Sequence, residues 1–302
     1  MASIADLSFA PGGDELVEAI NGVEVLFFWR PEPGLLEPAW ANARSLRWIQ
    51  SASAGVDSVL FPALADSDVV VTNARGIFDV PIAEYAIGLV IAFAKGFAAM
   101  FNDQRRREWG YRWTEPVAGK HLLVVGPGPI GRAVGRAALP LGMRVGAVGR
   151  TARSHDEVFG SVRAREELHQ ALGETDYVVD SMPLTEATRH LFGAAAFAAM
   201  KPSARFINLG RGATVDEPAL IEALRSGAIA GAALDVFEEE PLATDSPLWD
   251  MPNVIVSPHM AGDVEGWEEE IVLLFADNLR RFIAGEALLN VVDKRLGHPP
   301  SG

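Results

Sequence analysis

The chain has 302 residues, a formal net charge of −14, 49% hydrophobic residues and no cysteine. Its length is typical of about two domains, and the acidic balance argues against a nucleic-acid or anionic-membrane surface, because both need basic patches. The lack of cysteine excludes disulfide bonds, thiol nucleophiles and thiolate metal sites, and the six histidines show no ligand spacing, so we expect no metal centre. The N-terminus lacks the basic start and apolar core of a secretory signal, which fits a cytoplasmic protein.

The N-terminal part alternates helical and strand-like segments. A helix is predicted over residues 14–20, and strands are predicted over residues 23–28, 46–50 and 69–72. This alternation is typical of an α/β layer structure. Pro81 then opens a long apolar helix that reaches Lys95, with a pattern compatible with continuation to about Arg107. The apolar run 87–94 inside this helix is too short to span a bilayer.

The most informative motif follows this helix. Five largely apolar residues lead into Gly126, Gly128 and Gly131, spaced G-x-G-x-x-G, and a helix-like stretch comes next. A strand before and a helix after are the context that a dinucleotide-binding turn needs. The first glycine permits a tight turn, the second lets a pyrophosphate approach the backbone, and the third lets the helix pack against the strand. A structural glycine-rich turn is the alternative.

The second half of the chain repeats strand-like and helix-like segments. Strands are predicted over residues 122–125, 144–148, 177–180, 204–208, 230–234 and 254–257. Six strands separated by helices predict a doubly wound parallel sheet. A final helix, predicted over residues 267–285, would carry the chain back to the first domain.

Three residues at predicted strand ends have the chemistry for hydride transfer to a 2-oxo acid: Arg211, Glu240 and His259. Arginine can bind and polarise a carboxylate in bidentate geometry, and histidine can supply a proton near neutral pH. A nearby glutamate would keep that histidine protonated. Taken singly, the three could be a strand cap, part of a solvated acidic loop and an ordinary loop histidine. Their combination downstream of a dinucleotide turn favours the catalytic interpretation.

The residues beyond the glycine turn bear on the choice of nicotinamide cofactor. An NAD-selective site needs an acidic residue about 20 positions after the glycines, to bind the ribose 2′-hydroxyl. No acid occurs between Gly131 and Asp156, whereas Arg150, Thr151 and Arg153 could bind a 2′-phosphate. The sequence therefore predicts that NADP is preferred over NAD. A solvated loop with weak NAD binding is the alternative.

Motifs spread over nearly the whole chain resemble those of the D-isomer-specific 2-hydroxyacid dehydrogenases. The matching segments are residues 53–57, 72–76, 82–85, 126–131, 183–185, 208–216, 234–242 and 257–259. By this resemblance Arg211 binds the substrate, His259 is the acid/base, and Glu240 tunes His259.

The resemblance implies further binding residues. Ala54 and Gly55 would receive the substrate carboxylate through their backbone N–H groups, and Asp235 would hold the nicotinamide carboxamide. The residues expected to contact the cofactor, besides the three glycines, the 2′-phosphate residues and Asp235, are Pro129, Ile130, Pro183 and Leu209.

The same resemblance predicts the domain organisation. A flavodoxin-like substrate domain would comprise residues 1–94 and 271–302, and a Rossmann-like cofactor domain would comprise residues 95–270. The substrate domain is short at its start, so we expect that about one βα unit is missing or is replaced by another structure. Family members are usually homodimers joined through the cofactor domain.

The resemblance favours glyoxylate or hydroxypyruvate as the substrate. One alternative is a phosphoglycerate-type NAD enzyme, which the missing acid and the lack of a regulatory extension disfavour. A second alternative is a corepressor-like protein that senses the cofactor without turnover. Trp29, Tyr85 and Trp267 could shape the substrate pocket or simply pack in the core.

Overall fold

The computed structural model describes residues 5–295 and contains two compact units. The first unit is formed by residues 1–78 and 265–302, and the second by residues 79–264. The last residues of the predicted substrate domain, 296–302, lie outside the described part of the chain.

The helices and strands follow in chain order. The first unit begins with α1 (Gly13–Ala19), β1 (Val25–Phe28), β2 (Trp48–Ser51), α2 (Pro62–Ala65) and β3 (Val70–Thr72). The second unit contains α3 (Asp79–Lys95), α4 (Phe97–Arg106), β4 (His121–Val125), α5 (Pro129–Ala138), β5 (Arg144–Gly149), β6 (Arg153–Asp156), β7 (Gly160–Ala164), α6 (Leu168–Gly173), β8 (Tyr177–Asp180), α7 (Ala194–Ala199), β9 (Arg205–Asn208), α8 (Glu217–Ser226), β10 (Gly231–Leu234) and β11 (Val254–Val256). The chain returns to the first unit with α9 (Trp267–Ala284).

The first unit is built on a three-stranded parallel sheet, in the order β1-β2-β3. Trp48 on β2 is fully buried and packs against Phe275 and Leu279 of α9, which anchors this last helix to the small sheet. Among residues 5–24 only α1 precedes β1. Within residues 5–24 the structure contains no strand.

The second unit is built on an eight-stranded sheet, in the order β11-β10-β9-β8-β4-β5-β7-β6. All neighbouring strands are parallel except β6 and β7. The strand order reverses between β4 and β8, and open α/β sheets bind ligands at such a switch point, beyond the carboxyl ends of the strands. The predicted α/β fold with a Rossmann-type doubly wound sheet is confirmed.

The central strands of this sheet are apolar on both faces, because helices cover each face. On β4, Leu123 and Val125 belong to one core cluster, and Leu122 and Val124 belong to the other. Alternate side chains of a strand point to opposite faces, so one short strand contributes to both cores. This packing fixes β4 and the turn that follows it.

Two strands of the large sheet were not predicted. Segment 153–164 forms the antiparallel pair β6 and β7 at the sheet edge. The sequence of this segment is polar, like that of a loop, because an edge strand buries little apolar surface. Arg153, which was predicted to contact a 2′-phosphate, is the first residue of β6.

The long helix predicted from Pro81 is interrupted. Gly96 adopts a left-handed conformation with φ 64°, and α3 and α4 meet there at 60°. Among residues 5–295 no single helix is long and apolar enough to cross a bilayer, and only this bent pair reaches that length and composition jointly.

Helix α3 belongs to the second unit. Ala86 and Val90 pack in the same core cluster as Val124 of β4 and Val134 of α5. The compact units therefore divide before α3, at residue 78, whereas the sequence placed the domain boundary after it, at residue 94. An apolar helix next to a boundary does not reveal from sequence alone which core it enters.

Candidate active site

The glycine turn has the shape that a dinucleotide pyrophosphate requires. Gly126 has φ +99°, and a Cβ on Gly131 would lie 2.3 Å from the Gly126 carbonyl oxygen and 2.7 Å from Cγ1 of Val124. A Cβ on Gly128 would meet nothing within 4 Å, so open space lies beside the N-terminus of α5. A helix N-terminus carries partial positive charge and unpaired N–H groups, which suit a pyrophosphate. The residues present therefore fit a dinucleotide.

The next strand supports this turn. Ser181, which follows β8, donates its hydroxyl to the Gly126 carbonyl oxygen at 2.9 Å. A Cβ on Gly126 would lie 3.0 Å from the backbone N of Met182, so the turn packs closely against the end of β8. Pro129 and Ile130 begin α5 and are partly exposed, as cofactor contacts would need to be.

The predicted 2′-phosphate residues differ in their surroundings. Arg150 and Thr151 are exposed just after β5. Arg153 lies 3.3 Å from Asp156, whose buried carboxylate also accepts two hydrogen bonds from Arg132 at 3.1 and 2.7 Å. Burial alone would raise the pKa of Asp156, but the backbone N–H groups of Val158 and Phe159 and the Arg132 guanidinium hold it below its ordinary value.

Arg211 lies in the loop that follows β9. It precedes a short 3₁₀ turn, Gly212–Thr214, and its Nη1 donates to the Gly210 carbonyl at 2.8 Å. The Arg211 carbonyl accepts hydrogen bonds from Nδ2 of Asn208 at 3.1 Å and from Oγ1 of Thr214 at 2.6 Å. The backbone that carries the arginine is thus held from two sides.

His259 and Glu240 form a hydrogen-bonded pair. The Nδ1–H of His259 donates to Oε2 of Glu240 at 2.7 Å, and the other carboxylate oxygen accepts from the backbone N–H of Phe237 at 3.0 Å. This carboxylate raises the pKa of His259 above its ordinary 6.5, against the opposing effect of burial. Burial alone would raise the pKa of Glu240, but these hydrogen bonds hold it below its ordinary 4.5. Protonated histidine and ionised glutamate stabilise each other.

Asp235 fixes the loop that carries His259. Its Oδ1 accepts from the Ser257 hydroxyl at 2.6 Å and from the Met260 N–H at 3.0 Å, and its Oδ2 accepts from the Ala261 N–H at 2.9 Å. The backbone N–H of His259 also donates to the Asp235 carbonyl at 2.8 Å. The resemblance assigned Asp235 to the nicotinamide carboxamide. In the structure its buried carboxylate holds residues 257–261.

A backbone contact joins the arginine loop to the glutamate loop. A Cβ on Gly212 would lie 1.8 Å from the carbonyl carbon of Phe237 and 2.4 Å from the N atom of Glu238, so only glycine fits there. The positive charge of Arg211 acts on both His259 and Glu240. The structure therefore brings together the three residues predicted to be catalytic.

The other predicted residues lie in both units. Ala54 and Gly55 belong to the first unit, where their carbonyls accept hydrogen bonds from Nδ2 of Asn73 and Oγ of Ser53, both at 2.6 Å. In the second unit Pro183 is exposed after β8 and Leu209 is buried after β9. Among residues 5–295 no three His, Asp or Glu side chains form a group able to hold a metal ion.

Sequence reasoning assigned no role to two residues that support Arg211. Asn208 closes β9 and donates to the Arg211 carbonyl, and Thr214 donates to the same oxygen. Thr214 also contacts the fully buried Asp180 at the end of β8. A polar residue that ends an apolar strand was the available signal for Asn208 and Asp180.

Comparisons with known proteins identify the family of the chain. The family model of the D-isomer specific 2-hydroxyacid dehydrogenase NAD binding domain matches residues 87–261, more than half of the chain. Glyoxylate/hydroxypyruvate reductase B of Salmonella newport (strain SL254) is 37% identical over 255 residues, which are 82% of this chain and 78% of that protein.

Two further relatives extend the similarity. D-3-phosphoglycerate dehydrogenase of Methanocaldococcus jannaschii is 33% identical over 284 residues, 93% of this chain, and the chain spans only 53% of that protein. The crystal structure of an NADPH-dependent glyoxylate/hydroxypyruvate reductase from Sinorhizobium meliloti, in complex with NADP and sulfate, is 30% identical, with a TM-score of 0.81 and coverage of 97% of this chain and 98% of that chain. The chain belongs to the D-isomer-specific 2-hydroxyacid dehydrogenase family.

Proposed function

We propose that this protein transfers a hydride between NADPH and a small 2-oxo acid, with glyoxylate or hydroxypyruvate as the favoured substrate. The observation that carries the proposal is the His259–Glu240 hydrogen bond beside Arg211, at the edge of the sheet where the glycine turn also lies. The substrate class is supported by the similarity to reductases of glyoxylate and hydroxypyruvate in Salmonella newport and Sinorhizobium meliloti.

Each residue of the candidate site has a distinct task. A bound reduced nicotinamide supplies the hydride. Arg211 binds the substrate carboxylate and polarises the carbonyl, His259 donates a proton to the carbonyl oxygen, and Glu240 keeps His259 protonated before that transfer. We also propose, from the family resemblance, that the backbone N–H groups of Ala54 and Gly55, in the first unit, bind the substrate carboxylate.

Turnover tests the enzymatic function. NADPH oxidation is followed by absorbance against a panel of 2-oxo acids, for the wild type, for His259→Ala and for His169→Ala, which removes an exposed histidine of α6. We expect glyoxylate or hydroxypyruvate to be reduced, with a loss of about 10²–10⁴-fold in kcat for His259→Ala and no change for the control. Equal turnover by His259→Ala would remove His259 from its role.

The alternatives predict other outcomes. A phosphoglycerate-type enzyme, like the archaeal relative by name, would prefer 3-phosphohydroxypyruvate and NADH. A corepressor-like protein would bind the cofactor and reduce no member of the panel.

Arg150 and Thr151 support a preference for NADPH. A carboxylate at position 150 would repel the 2′-phosphate and bind the ribose hydroxyls instead. A new side chain at Gly149 would press on Pro127 and Val162, each 3.1 Å from the added Cβ, so position 150 is the better site for it. We expect Arg150→Asp to lower the NADPH/NADH ratio of kcat/KM at least tenfold, about the value of a charge-assisted hydrogen bond. Arg136→Asp, on the exposed face of α5, should leave the ratio unchanged.

We also propose a homodimer that forms through the cofactor domain. Helix α4 and the segment after it expose a patch of large apolar side chains, with Trp109 98% and Trp113 88% accessible. Apolar patches of this kind mark interfaces between proteins. Light scattering should give a dimer for the wild type and for Leu273→Ser, an exposed position on α9, and a monomer for the double variant Trp109→Ser/Trp113→Ser. A monomeric wild type would contradict the dimer.

We place the protein in the cytoplasm, because a reduced nicotinamide cofactor is regenerated there. Fractionation of cells that express the chain tests this location, with activity expected in the cytosolic fraction.

A further inference from the structure

The Thr214 hydroxyl lies close to two oxygen atoms that ordinarily accept hydrogen bonds. It is 2.5 Å from Oδ2 of Asp180 and 2.6 Å from the carbonyl oxygen of Arg211. Both distances are at the short end of the range for O–H···O hydrogen bonds. A hydroxyl has one hydrogen, so two such short contacts require a second one. A peptide carbonyl carries no hydrogen, which leaves the carboxyl group of Asp180 as its source.

The surroundings of Asp180 favour the neutral acid. Its side chain is fully buried, and its other oxygen accepts one hydrogen bond, from the backbone N–H of Met182 at 2.9 Å. Its neighbours on the adjoining strands, Val125 and Asn208, carry no charge. Burial raises the pKa of Asp180 to about 7, although the hydrogen bonds from Thr214 and Met182 act in the opposite direction.

Burial, Thr214 and Met182 account for the raised pKa of Asp180, and no charged side chain among residues 5–295 contributes to it. Arg211 reaches it through the Thr214 hydroxyl, by means of its backbone carbonyl. The pair His190–Glu238 contacts the same turn, because the His190 backbone N–H donates to the Ala213 carbonyl at 2.9 Å.

We propose that Asp180, as a neutral carboxylic acid, is a positioning residue for Arg211 through the Thr214 hydroxyl, and that its ionisation weakens the binding of the substrate carboxylate. The acid donates its proton to Oγ1 of Thr214, and Thr214 donates to the Arg211 carbonyl. When Asp180 loses its proton to solvent, the Thr214 hydroxyl turns to the new carboxylate. The Arg211 carbonyl then loses its shortest hydrogen bond and keeps two, from Nδ2 of Asn208 at 3.1 Å and from the backbone N–H of Thr214 at 3.2 Å. The consequence for substrate binding rests on the proposed role of Arg211.

The first test needs neither substrate nor cofactor. Labelling arginine carbonyls with ¹³C and glycine nitrogens with ¹⁵N isolates the Arg–Gly pairs, and the sequence contains two, Arg75–Gly76 and Arg211–Gly212. The Gly212 amide shares its peptide bond with the Arg211 carbonyl, so its ¹⁵N shift responds to hydrogen bonding there. Gly76 is an internal control.

The variant Asp180→Asn keeps the shape of the neutral acid. Its amide group can donate to Thr214 and accept from the Met182 N–H, but it cannot ionise. We expect the Gly212 signal to titrate near neutral pH in the wild type and to show no such titration in Asp180→Asn. A Gly212 signal that does not move in the wild type, or that titrates equally in the variant, would overturn the proposal.

The second test connects this titration to the substrate. In the wild type we expect KM for glyoxylate to rise about threefold to tenfold from about pH 6 to about pH 8.5, the value of one lost hydrogen bond. In Asp180→Asn this rise should disappear, whereas Asp245→Asn, an exposed change of the same charge, should keep it. The decrease in kcat with rising pH, which the deprotonation of His259 causes, should remain in all three proteins. A KM rise that persists in Asp180→Asn would overturn the link to substrate binding.

The two tests separate the possible failures. If no 2-oxo acid is reduced, the proposed function fails, and the Gly212 titration still decides whether Asp180 controls the Arg211 carbonyl.

Discussion

Two buried aspartates lie at the carboxyl ends of strands of the large sheet and differ in their hydrogen-bond partners. Asp235 follows β10 and is 2% exposed, and Asp180 ends β8 and is 0% exposed. Three hydrogen-bond donors converge on the carboxylate of Asp235. The carboxyl group of Asp180 accepts a hydrogen bond from only one backbone N–H, that of Met182, and contacts the hydroxyl of Thr214, which also contacts the Arg211 carbonyl. Burial is nearly equal, so the two carboxyl groups differ chiefly in the number of hydrogen-bond donors that contact them.

This difference gives the two residues different tasks. Asp235 organises a loop with its hydrogen bonds, and the loop presents His259 to Glu240. Asp180 acts on the neighbouring loop through a proton that it keeps at low pH and loses at high pH. The same residue type thus supports the proposed proton donor in one loop and the proposed substrate-binding arginine in the other.

The substitution of asparagine for Asp235 should have the largest effect. Whichever way the new amide points, its N–H₂ group faces at least one backbone N–H, from Met260 or Ala261. The lost hydrogen bonds and the unpaired buried donor should lower the free energy of unfolding by about 3–5 kcal/mol. Displacement of His259 should reduce kcat at least about 100-fold.

Urea unfolding and NADPH oxidation measure the two effects. Asp180→Asn is the matched control. The same chemical change there fills the same space, and the new N–H₂ group does not face another hydrogen-bond donor, because it can donate to the Thr214 hydroxyl. Similar losses in both variants would contradict the account based on donors.

Glu240→Gln should have the next largest effect. Without the carboxylate, the pKa of His259 falls, so less of it is protonated at neutral pH. We expect kcat for reduction to fall about 10–100-fold at about pH 7.5 and the descending limb of the pH profile to move to lower pH. Glu239→Gln, one position earlier and exposed, should match the wild type. An unchanged profile in Glu240→Gln would show that this carboxylate does not tune His259.

The candidate catalytic residues could be predicted from sequence because each lies in a local motif after a strand. Arg211, Glu240 and His259 need only the rule that ligands bind at the carboxyl ends of parallel strands. The pairing of Asp180 with Thr214 could not be predicted, since 34 positions separate them and the contact depends on packing between two loops. The role of Asp235 could not be predicted for the same reason, because its hydrogen-bond partners lie on another loop.

The fold shows a similar division. The central strands of the large sheet are predicted to within about two residues, because both of their faces are apolar. The edge strands β6 and β7 have polar sequences and were missed. The position of α3 required knowledge of which core its apolar face enters.

The stability of Asp180→Asn should depend on pH. The pKa of Asp180 rises from 3.8 in the unfolded chain to about 7 in the folded chain, so between these values the folded chain keeps a proton that the unfolded chain has lost. The stability of the wild type therefore falls as pH rises through this range and levels off above it. Asparagine removes this loss. We expect the free energy of unfolding of Asp180→Asn to exceed that of the wild type by about 1–3 kcal/mol at about pH 8.5. The pKa shift of Asp180 sets an upper limit of about 4 kcal/mol. The gain should shrink toward pH 4 in urea unfolding, and a gain independent of pH would contradict the titration.

The smallest effect is expected at a third buried aspartate, Asp156, which two arginines contact unequally. Arg132 makes two hydrogen bonds to it, whereas Arg153 makes one contact at 3.3 Å and is 40% exposed. We expect Arg153→Ala to lower the free energy of unfolding by less than about 1 kcal/mol, because exposed ion pairs are weak, and Arg132→Ala to lower it by about 2 kcal/mol. Urea unfolding of both variants tests this order. A small value for Arg153 means that its guanidinium can leave Asp156 at little cost and bind a 2′-phosphate, and a value equal to that of Arg132 would make it a structural residue.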